Sequence, residues 1–372
     1  MRIAIDASSA GTPRRSGIGA SLVHLLRALA RIDSENEYLV CYRFSRLKHL
    51  RHLYCPHAPN FHRRILLEPI LFPRSDVFHG GDARLPRRDG FPATVTVYDL
   101  FSLLRTDLAT DAFRDKKIQR YHHLARRADR IIAVSESTRN DIIRLLDVHP
   151  EKVIVSHLGV SKEFRPRPTE EVDLVRAKYG LPTPYILSVA SFSNRKNIQR
   201  ILAAYASLRK TGKLESKLVL AGSLEHWPDY RETTEHLVAA GEAVLPGFVD
   251  DEDLPALYSG ARMFVFPSLY EGFGLPPLEA MACGVPVIAS KTSSMPEVVG
   301  DAGILVDPEN QAEIAEHMAK LDSGATLRHT LAVKGMARSR LFTWERAAWR
   351  LLTVWKDLLQ ATGHRSCGLT CL

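Results

Sequence analysis

Short apolar runs alternate with amphipathic stretches along most of the chain. Arg2–Asp6 has the composition of an opening strand, and the apolar spacing over Gly19–Arg31 predicts a helix after it. Ser135 is well placed to cap a helix over Glu136–Leu146. Apolar strands joined by amphipathic helices are typical of α/β units around a parallel sheet. Further strands are predicted at Tyr38–Tyr42, Val77–His79, Thr94–Tyr98, Arg130–Val134 and Val153–His157, and a long helix at Phe113–Ala128.

The prolines of Phe164–Pro168 interrupt this pattern and predict a linker. Beyond them the alternation starts again, with a loop at Ser191–Arg195 and a helix at Asn197–Thr211, and a last helix covers Thr343–Gln360. The sequence therefore predicts an α/β protein with two Rossmann-like domains in tandem. The strands of the second domain are predicted at Tyr185–Ala190, Leu218–Ala221, Ala243–Leu245, Met263–Pro267, Val287–Ala289 and Gly303–Asp307.

Composition narrows the class of protein. Hydrophobic residues make up 45% and charged residues 25% of the 372 positions, as in a soluble globular protein. No uncharged run is long enough to cross a bilayer, and Asp6 interrupts any signal peptide. We therefore expect a protein that is cytoplasmic or peripheral on the cytoplasmic face of the inner membrane. Five scattered cysteines predict reduced thiols rather than a disulfide framework.

The positive charge is concentrated in the first half of the chain. Residues 1–160 contain 26 lysines and arginines against 17 acidic residues, a net charge of +9, whereas residues 161–372 have a net charge of −1. This asymmetry is consistent with a basic solvated surface, with an anionic membrane face as partner or with an anionic acceptor. Nucleic acid is disfavoured as a partner because no binding motif accompanies the charge.

Two loops have residues suited to binding an anion. Ser16–Gly19 precedes the first helix, and its glycines let a phosphate approach the backbone amides. Asn194–Asn197 follows a strand at the carboxyl end of the second predicted sheet, where ligands of open α/β sheets bind. The adjacent cations Arg195 and Lys196 oppose the dipole of the next helix, which is tolerable if an anion lies between them. The alternative is that Ser16–Gly19 is a structural helix-entry loop and that Asn194–Asn197 is a solvated basic turn.

The segment Tyr270–Ala280 contains two carboxylates eight positions apart. Glu271 precedes a Gly-Phe-Gly loop, and Glu279 lies just inside the helix that follows. Amides of the loop can meet a phosphate or a sugar, and the second carboxylate can accept hydrogen bonds from ribose hydroxyls. The alternative is that Glu279 caps its helix and Glu271 is a surface residue. The clustered glycines favour the binding site.

Together these motifs make the chain resemble a retaining glycosyltransferase of family 4, with GT-B architecture, over nearly its whole length. The resemblance rests on the first glycine loop, Ala133–Thr138, Ser156–Val160, Arg195–Asn197, Pro246–Phe248, Phe266–Ser268, the pair Glu271 and Glu279, and Pro296–Val298. It implies two Rossmann-like domains that face a central cleft. Residues 1–165 would bind the acceptor and residues 166–345 the nucleotide sugar. Residues 346–372 would form a helix that returns to the N-terminal domain, and a tail.

The resemblance also implies roles for individual residues. Glu271 would contact the donor sugar near the reacting carbon, and Glu279 would contact the ribose. Arg195 and Lys196 would hold the diphosphate in place of a metal ion, so neither a metal nor a cofactor is expected. The diphosphate would also meet the loops of Gly17 and Gly19 and of Gly272, Phe273, Gly274 and Leu275, the base would meet Gly247 and Phe248, and the acceptor or the cleft would meet Tyr98, Asp99 and Ser135.

Two departures from the family pattern leave roles open. The usual Gly-Gly-x-Gly is reduced to Ser-Gly-Ile-Gly around Gly17, and the common His-Asp is replaced by Tyr98 and Asp99. His79 follows a predicted strand and could line the cleft.

The resemblance to bacterial mannosyltransferases of polysaccharide assembly implies GDP-mannose as the donor and a saccharide or lipid-linked acceptor. The alternatives are a UDP-hexose donor and a nucleotide-sugar epimerase on the same fold. A dinucleotide oxidoreductase is disfavoured because Leu22 occupies the place of the third glycine of the fingerprint.

Overall fold

The computed structural model describes residues 1–68, 70–104, 111–189, 193–222 and 231–361, without the side chains of residues 111–113. The chain divides into two compact domains. Met1–Gly159 and the segment that starts at Thr343 form the first, and Val160–Phe342 forms the second. Among the residues described, no helix is long and apolar enough to cross a membrane. The predicted strand end at Ala190, the start of the Ser191–Arg195 loop and the tail from residue 362 lie outside these residues.

The described part of the first domain contains a parallel sheet in the order β3-β2-β1-β4-β5-β6-β7. Its strands are β1 (Arg2–Asp6), β2 (Glu37–Arg43), β3 (Phe61–Leu66), β4 (Val77–Gly80), β5 (Ala93–Val97), β6 (Arg130–Ala133) and β7 (Val153–Val155). The helices between them are α1 (Gly17–Ile32), α2 (Phe101–Leu104), α3 (Asp111–Arg127) and α4 (Glu136–Leu146). The central strands are apolar and buried, as the sequence pattern predicts. Ser135 accepts a hydrogen bond from the Thr138 amide (3.0 Å) and caps α4, as predicted.

The second domain repeats the arrangement, and its described strands follow the order β10-β9-β8-β11-β12-β13. The strands are β8 (Tyr185–Val189), β9 (Lys217–Ala221), β10 (Ala243–Gly247), β11 (Met263–Phe266), β12 (Val287–Ser290) and β13 (Ile304–Val306). The helices are α5 (Thr169–Tyr179), α6 (Ile198–Lys210), α7 (Arg231–Ala239), α8 (Leu254–Ser259), α9 (Leu275–Ala282), α10 (Met295–Val299), α11 (Gln311–Ser323) and α12 (Ala325–Ser339). Both sheets have Rossmann strand order, so the predicted α/β class is confirmed.

The last helix, α13 (Trp344–Ala361), belongs to the first domain and packs on α1. Its Trp355 is fully buried and donates a hydrogen bond to Thr94 Oγ1 (3.0 Å) on β5. Gly159 passes so close to this helix that a Cβ there would lie 2.2 Å from the backbone nitrogen of Trp344. The residue type at position 159 is therefore dictated by the close approach of two backbones.

The predicted linker at Phe164–Pro168 is wrong. This segment packs on the second domain, where the Arg167 amide donates to Ser259 Oγ (3.1 Å) and the ring of Phe164 meets the Tyr258 ring edge-on. The chain passes from one domain to the other at Gly159–Val160 instead. Prolines here break the helical pattern while the segment remains part of a folded domain.

His79 lies inside β4, within the predicted strand Val77–His79, and is fully buried. Its ring nitrogens lie 2.9 Å from Thr94 Oγ1 and 3.1 Å from Thr96 Oγ1, and Trp355 packs against the ring edge-on. Burial lowers the pKa of His79 to about 3, which keeps the imidazole neutral. The prediction that His79 lines a cleft is therefore wrong, because both ring nitrogens contact threonine hydroxyls and the ring packs in the core.

Candidate active site

The candidate site lies where the strand order of the second sheet reverses. β8 pairs with β9 on one side and with β11 on the other. The loops after β8 and β11 therefore leave neighbouring parallel strands at the same, carboxyl end of the sheet. Ligands of open α/β sheets bind in the crevice at such a switch point. The loop after β8 carries Arg195 and Lys196, and the loop after β11 carries Glu271. The topology therefore brings together two motifs that are 75 residues apart.

The cationic turn Asn194–Lys196 is fixed by the residue that follows it. Asn197 has a left-handed backbone (φ 60°), and its buried side chain donates to the carbonyls of Pro267 (2.8 Å) and Pro308 (2.7 Å). Asparagine tolerates this conformation better than most residues. The carbonyl of Arg195 in turn accepts a hydrogen bond from the Leu269 amide (2.8 Å). The turn is therefore tied to the β11 loop before any ligand binds.

A buried ion pair joins the two loops. Lys196 Nζ donates to Glu271 Oε1 at 2.7 Å, and both side chains are about one-tenth exposed. Ser268, fully buried, donates to the same oxygen at 2.6 Å. Among the described residues, none donates a hydrogen bond to Glu271 Oε2. One oxygen of this carboxylate is therefore held by the protein, and the other is left to meet a ligand.

The backbone of Glu271 is held as firmly as its side chain. Its amide donates to Ser293 Oγ (2.9 Å), and its carbonyl accepts from the Ser294 hydroxyl (2.9 Å). Ser293 itself adopts a left-handed conformation (φ 52°), which costs a non-glycine residue conformational energy. Three serines thus orient this one glutamate.

Charges around the pair favour an ionised carboxylate. Burial alone would raise the pKa of Glu271, but Lys196 and Arg195 more than offset it and hold that pKa below its ordinary value. Lys196 also lies over the face of the Phe266 ring, with Nζ 4.8 Å from the ring centre. The arrangement presents a fixed anion, Glu271, beside two cations at the end of the sheet.

The loop before α9 turns through Gly274. Its φ is 108°, a conformation that requires glycine, and a Cβ at this position would also displace the end of the Met295 side chain, 2.2 Å away. Pro276 and Pro277 follow in the first turn of α9 and have no backbone N–H. Amides available to a ligand therefore end at Leu275. The Phe273 side chain is buried edge-on against Phe342, which leaves its backbone as the part that a ligand could meet.

Glu279 lies on α9, partly exposed, and its Oε2 accepts a hydrogen bond from the Tyr258 hydroxyl (3.0 Å). Burial raises the pKa of Glu279 to about 7, in contrast with Glu271. Gly247, at the end of β10, has a left-handed backbone (φ 71°), and the adjacent Phe248 is 55% exposed. Their roles at the ribose and the base stay predictions.

The predicted residues of the first domain have local structural partners. Gly19 fits closely against Ser9, whose carbonyl oxygen would lie 2.5 Å from a Cβ, and the Gly19 amide is capped by Ser16 (3.4 Å). Gly17 opens α1 in open space. Tyr98 and Asp99 follow β5, partly exposed, and Ser135 is fully buried at the cap of α4. Contacts of these residues with donor or acceptor stay predictions.

Comparisons with known proteins identify the family of the chain. A family model described as glycosyltransferase family 4 matches residues 15–164, and one described as glycosyl transferases group 1 matches residues 173–337. The O-antigen chain mannosyltransferase B of Escherichia coli is 34% identical over 290 residues, which are 76% of this chain and 74% of that protein. The serotype-specific mannosyltransferase WbdA of Escherichia coli is 32% identical over 280 residues, 73% of this chain but 34% of that longer protein.

Among solved structures, the sucrose-phosphate synthase of Thermosynechococcus elongatus superposes with a TM-score of 0.77 at 22% identity, covering 97% of this chain and all of that one. The two Rossmann-like domains and the glycosyltransferase family models define a glycosyltransferase of the GT-B class. The chain belongs to glycosyltransferase family 4, as the sequence motifs predict.

Proposed function

We propose that the protein is a retaining mannosyltransferase that moves mannose from GDP-mannose to a saccharide or lipid-linked acceptor in polysaccharide or glycan assembly. The two Escherichia coli relatives, both named as mannosyltransferases, support mannose as the sugar. The single observation that carries the proposal is the Lys196–Glu271 pair, which leaves Glu271 Oε2 open at the switch point of the second sheet.

The charges of this site suit the departure of a diphosphate. In the proposed step the bond from the sugar C1 to the diphosphate oxygen breaks while the acceptor oxygen bonds to C1. The acceptor proton passes to the leaving diphosphate. Arg195 and Lys196, with the amides of the loop up to Leu275, would stabilise the negative charge that develops there. Glu271 would hold hydroxyls of the sugar, and attack from the same face would retain the configuration.

A binding screen tests the donor. Binding stabilises a folded protein in proportion to ln(1 + [L]/Kd), so GDP, UDP and ADP are compared by thermal shift at equal concentration. We expect the largest shift with GDP, and release of GDP from GDP-mannose together with the appearance of mannose on the acceptor. A larger shift with UDP would favour the UDP-hexose alternative. Release of nucleoside diphosphate with no sugar on any acceptor would favour the epimerase-like chemistry.

The basic surface of the first domain supports a location at a membrane. The helical turns Phe44–His52 are exposed, and Phe44 and Leu50 expose more than half of their surface among the cations. Arg63 and Arg64 lie nearby in sequence on β3, at the edge of the sheet. Each basic residue near an anionic leaflet contributes about 1 kcal/mol to binding. We propose that this surface binds anionic lipid next to a lipid-linked acceptor.

Cosedimentation with vesicles tests this location. We expect binding to anionic vesicles that weakens between about 50 and 300 mM salt, because screening shortens over that range, and none to neutral ones. A variant with glutamine at Arg46, Lys48, Arg51, Arg63 and Arg64 should lose it and keep nucleotide binding. The matched control replaces as many exposed lysines of the second domain, including Lys210, Lys213 and Lys217. Absence of wild-type binding at low salt would favour a soluble acceptor.

A further inference from the structure

A second carboxylate of the candidate site has its own support. Glu279 accepts a hydrogen bond from Tyr258 through Oε2, at 3.0 Å, and no described residue donates to its Oε1. Tyr258 lies on α8, next to α9, and its side chain is fully buried. The ring packs edge-on against Phe264 and Phe164. These aromatic contacts fix the orientation of the ring and therefore the position of its hydroxyl next to Glu279.

We propose that Tyr258 is a positioning residue for the donor: its hydroxyl holds Oε2 of Glu279 so that Oε1 receives the ribose hydroxyls. This inference rests on the proposed function, in which Glu279 binds the ribose. Carboxylates bound by an oriented donor lose less rotational freedom when a ligand arrives. Tyr258 touches neither the reacting carbon nor the diphosphate in this arrangement, so it acts through Glu279.

The surroundings of Glu279 make its charge sensitive to this contact. Besides Tyr258, the titratable groups that face it are Asp251, on the loop before α8, and Cys283, at the end of α9. Burial raises the pKa of Glu279 most, Asp251 adds to that effect, and the Tyr258 hydroxyl opposes it. The hydroxyl therefore favours the ionised form that accepts two hydroxyl hydrogen bonds from a ribose.

Replacement of Tyr258 by phenylalanine tests the proposal. The probe is whichever of GDP, UDP and ADP gives the largest thermal shift, and its Kd is measured by calorimetry from about pH 5.5 to 8.5, a range that brackets the titration. We expect Tyr258→Phe to weaken binding about tenfold at pH 7 and to move the pH midpoint of binding upwards, because a hydrogen bond to a charged group is lost. The donor KM should rise while kcat stays within about twofold.

Tyr185→Phe is the matched control. The Tyr185 side chain is also fully buried in the second domain, and its hydroxyl donates to the Leu257 carbonyl (2.6 Å) rather than to Glu279. It should lose stability in the same way but keep the wild-type affinity and pH midpoint. In a Glu279→Gln background, Tyr258→Phe should weaken nucleotide binding no further.

Equal nucleotide affinity and equal pH midpoints for Tyr258→Phe and Tyr185→Phe would overturn the inference and leave the proposed function intact. Unchanged nucleotide affinity in Glu279→Gln would instead refute the ribose contact itself. If Tyr258→Phe does not fold, difluorotyrosine in place of Tyr258 gives a test of opposite sign. Its more acidic hydroxyl is a stronger donor, so the pH midpoint should move downwards, and an unmoved midpoint would contradict the proposal.

Discussion

Each domain has a cation–carboxylate pair at the carboxyl end of its sheet, and the two pairs differ in what they leave open. In the first domain Arg43 Nε donates to Asp6 Oδ2 at 2.9 Å, and Ser8 donates to Oδ1 through both its amide (3.0 Å) and its hydroxyl (2.5 Å). Both oxygens of Asp6 are therefore held. In the second domain Lys196 and Ser268 share Oε1 of Glu271.

We therefore interpret the Asp6–Arg43 pair as structural and the Lys196–Glu271 pair as the proposed binding pair, on sheets of the same strand order. Asp6 and Arg43 lie at the ends of adjacent strands, so their pair follows directly from the sheet. Lys196 and Glu271 lie on loops with further hydrogen bonds, in which the Asn197 side chain donates to the Pro267 carbonyl and Ser293 Oγ accepts from the Glu271 amide. Buried polar groups that are held on one side only are candidates for ligand contact. The comparison predicts that matched changes in the two pairs will affect different properties.

The largest contrast is expected between Lys196→Ala and Arg43→Ala. Lys196→Ala removes a cation from the place where we propose that leaving-group charge develops, so kcat/KM should fall about 100-fold or more. Arg43→Ala should lower the melting temperature and leave the affinity for nucleotide unchanged. Steady-state kinetics and thermal melts of both variants measure these effects. If Lys196→Ala and Arg195→Ala both keep activity within about threefold of wild type, the proposed stabilisation of the leaving diphosphate by these two cations is refuted.

The two glutamates of the site should differ in kind. Glu271→Gln keeps the shape of the side chain but removes the charge that we propose lies next to the sugar, so its main effect should be on kcat. In the proposed function Glu279 contacts the ribose and not the reacting sugar, so Glu279→Gln should mainly raise the donor KM. Initial rates over a range of donor concentrations separate the two parameters. The assigned roles would be reversed if Glu279→Gln lowered kcat and Glu271→Gln raised only the donor KM.

A smaller contrast concerns the two serines that support the carboxylates. Ser268→Ala removes one of two donors to Glu271 Oε1, and we expect kcat to fall about tenfold, the effect of one hydrogen bond to a charged group. Ser8→Ala removes the hydroxyl that donates to Asp6, and this variant should have a lower melting temperature instead of a lower kcat. If Ser268→Ala and Ser8→Ala changed kcat equally, the Lys196–Glu271 pair would have no functional role that the Arg43–Asp6 pair lacks.

The sequence predicts most elements of this fold because most strands are buried apolar runs. β3 is the strand that it misses, since Arg63 and Arg64 stand exposed in the middle of Phe61–Leu66. That strand lies at the edge of the sheet, where charged side chains face water and protect the open edge. An apolar pattern therefore cannot reveal it. The ends of the other described strands agree with the predicted ends within two residues.

The site is predictable in its residues but not in its contacts. Glu271 and Lys196 stand out by motif, and the reversal of strand order places their loops side by side. The motifs do not predict the direct pair between them, since they assign both residues to the donor alone. Nor do they assign Ser268, Ser293 or Ser294, because a serine in a loop has no pattern that distinguishes support of a carboxylate from a turn. Only the fold shows which hydroxyl points at which oxygen.

The smallest predicted effect concerns stability against pH and separates Glu279 from Glu271. The pKa of Glu279 in the folded protein is about 7, above the ordinary 4.5, so the folded state binds a proton that the unfolded state has released between those values. Ionisation of Glu279 therefore destabilises the fold as pH rises through about 7. Glu279→Gln should melt at a higher temperature than wild type at pH 8, and the advantage should disappear towards pH 5.

Glu271 has a lowered pKa, so Glu271→Gln should show the opposite sign, with its stability loss greatest above the ordinary pKa of a glutamate. Parallel melting curves of the two variants across this range would contradict the opposite environments that distinguish the two carboxylates.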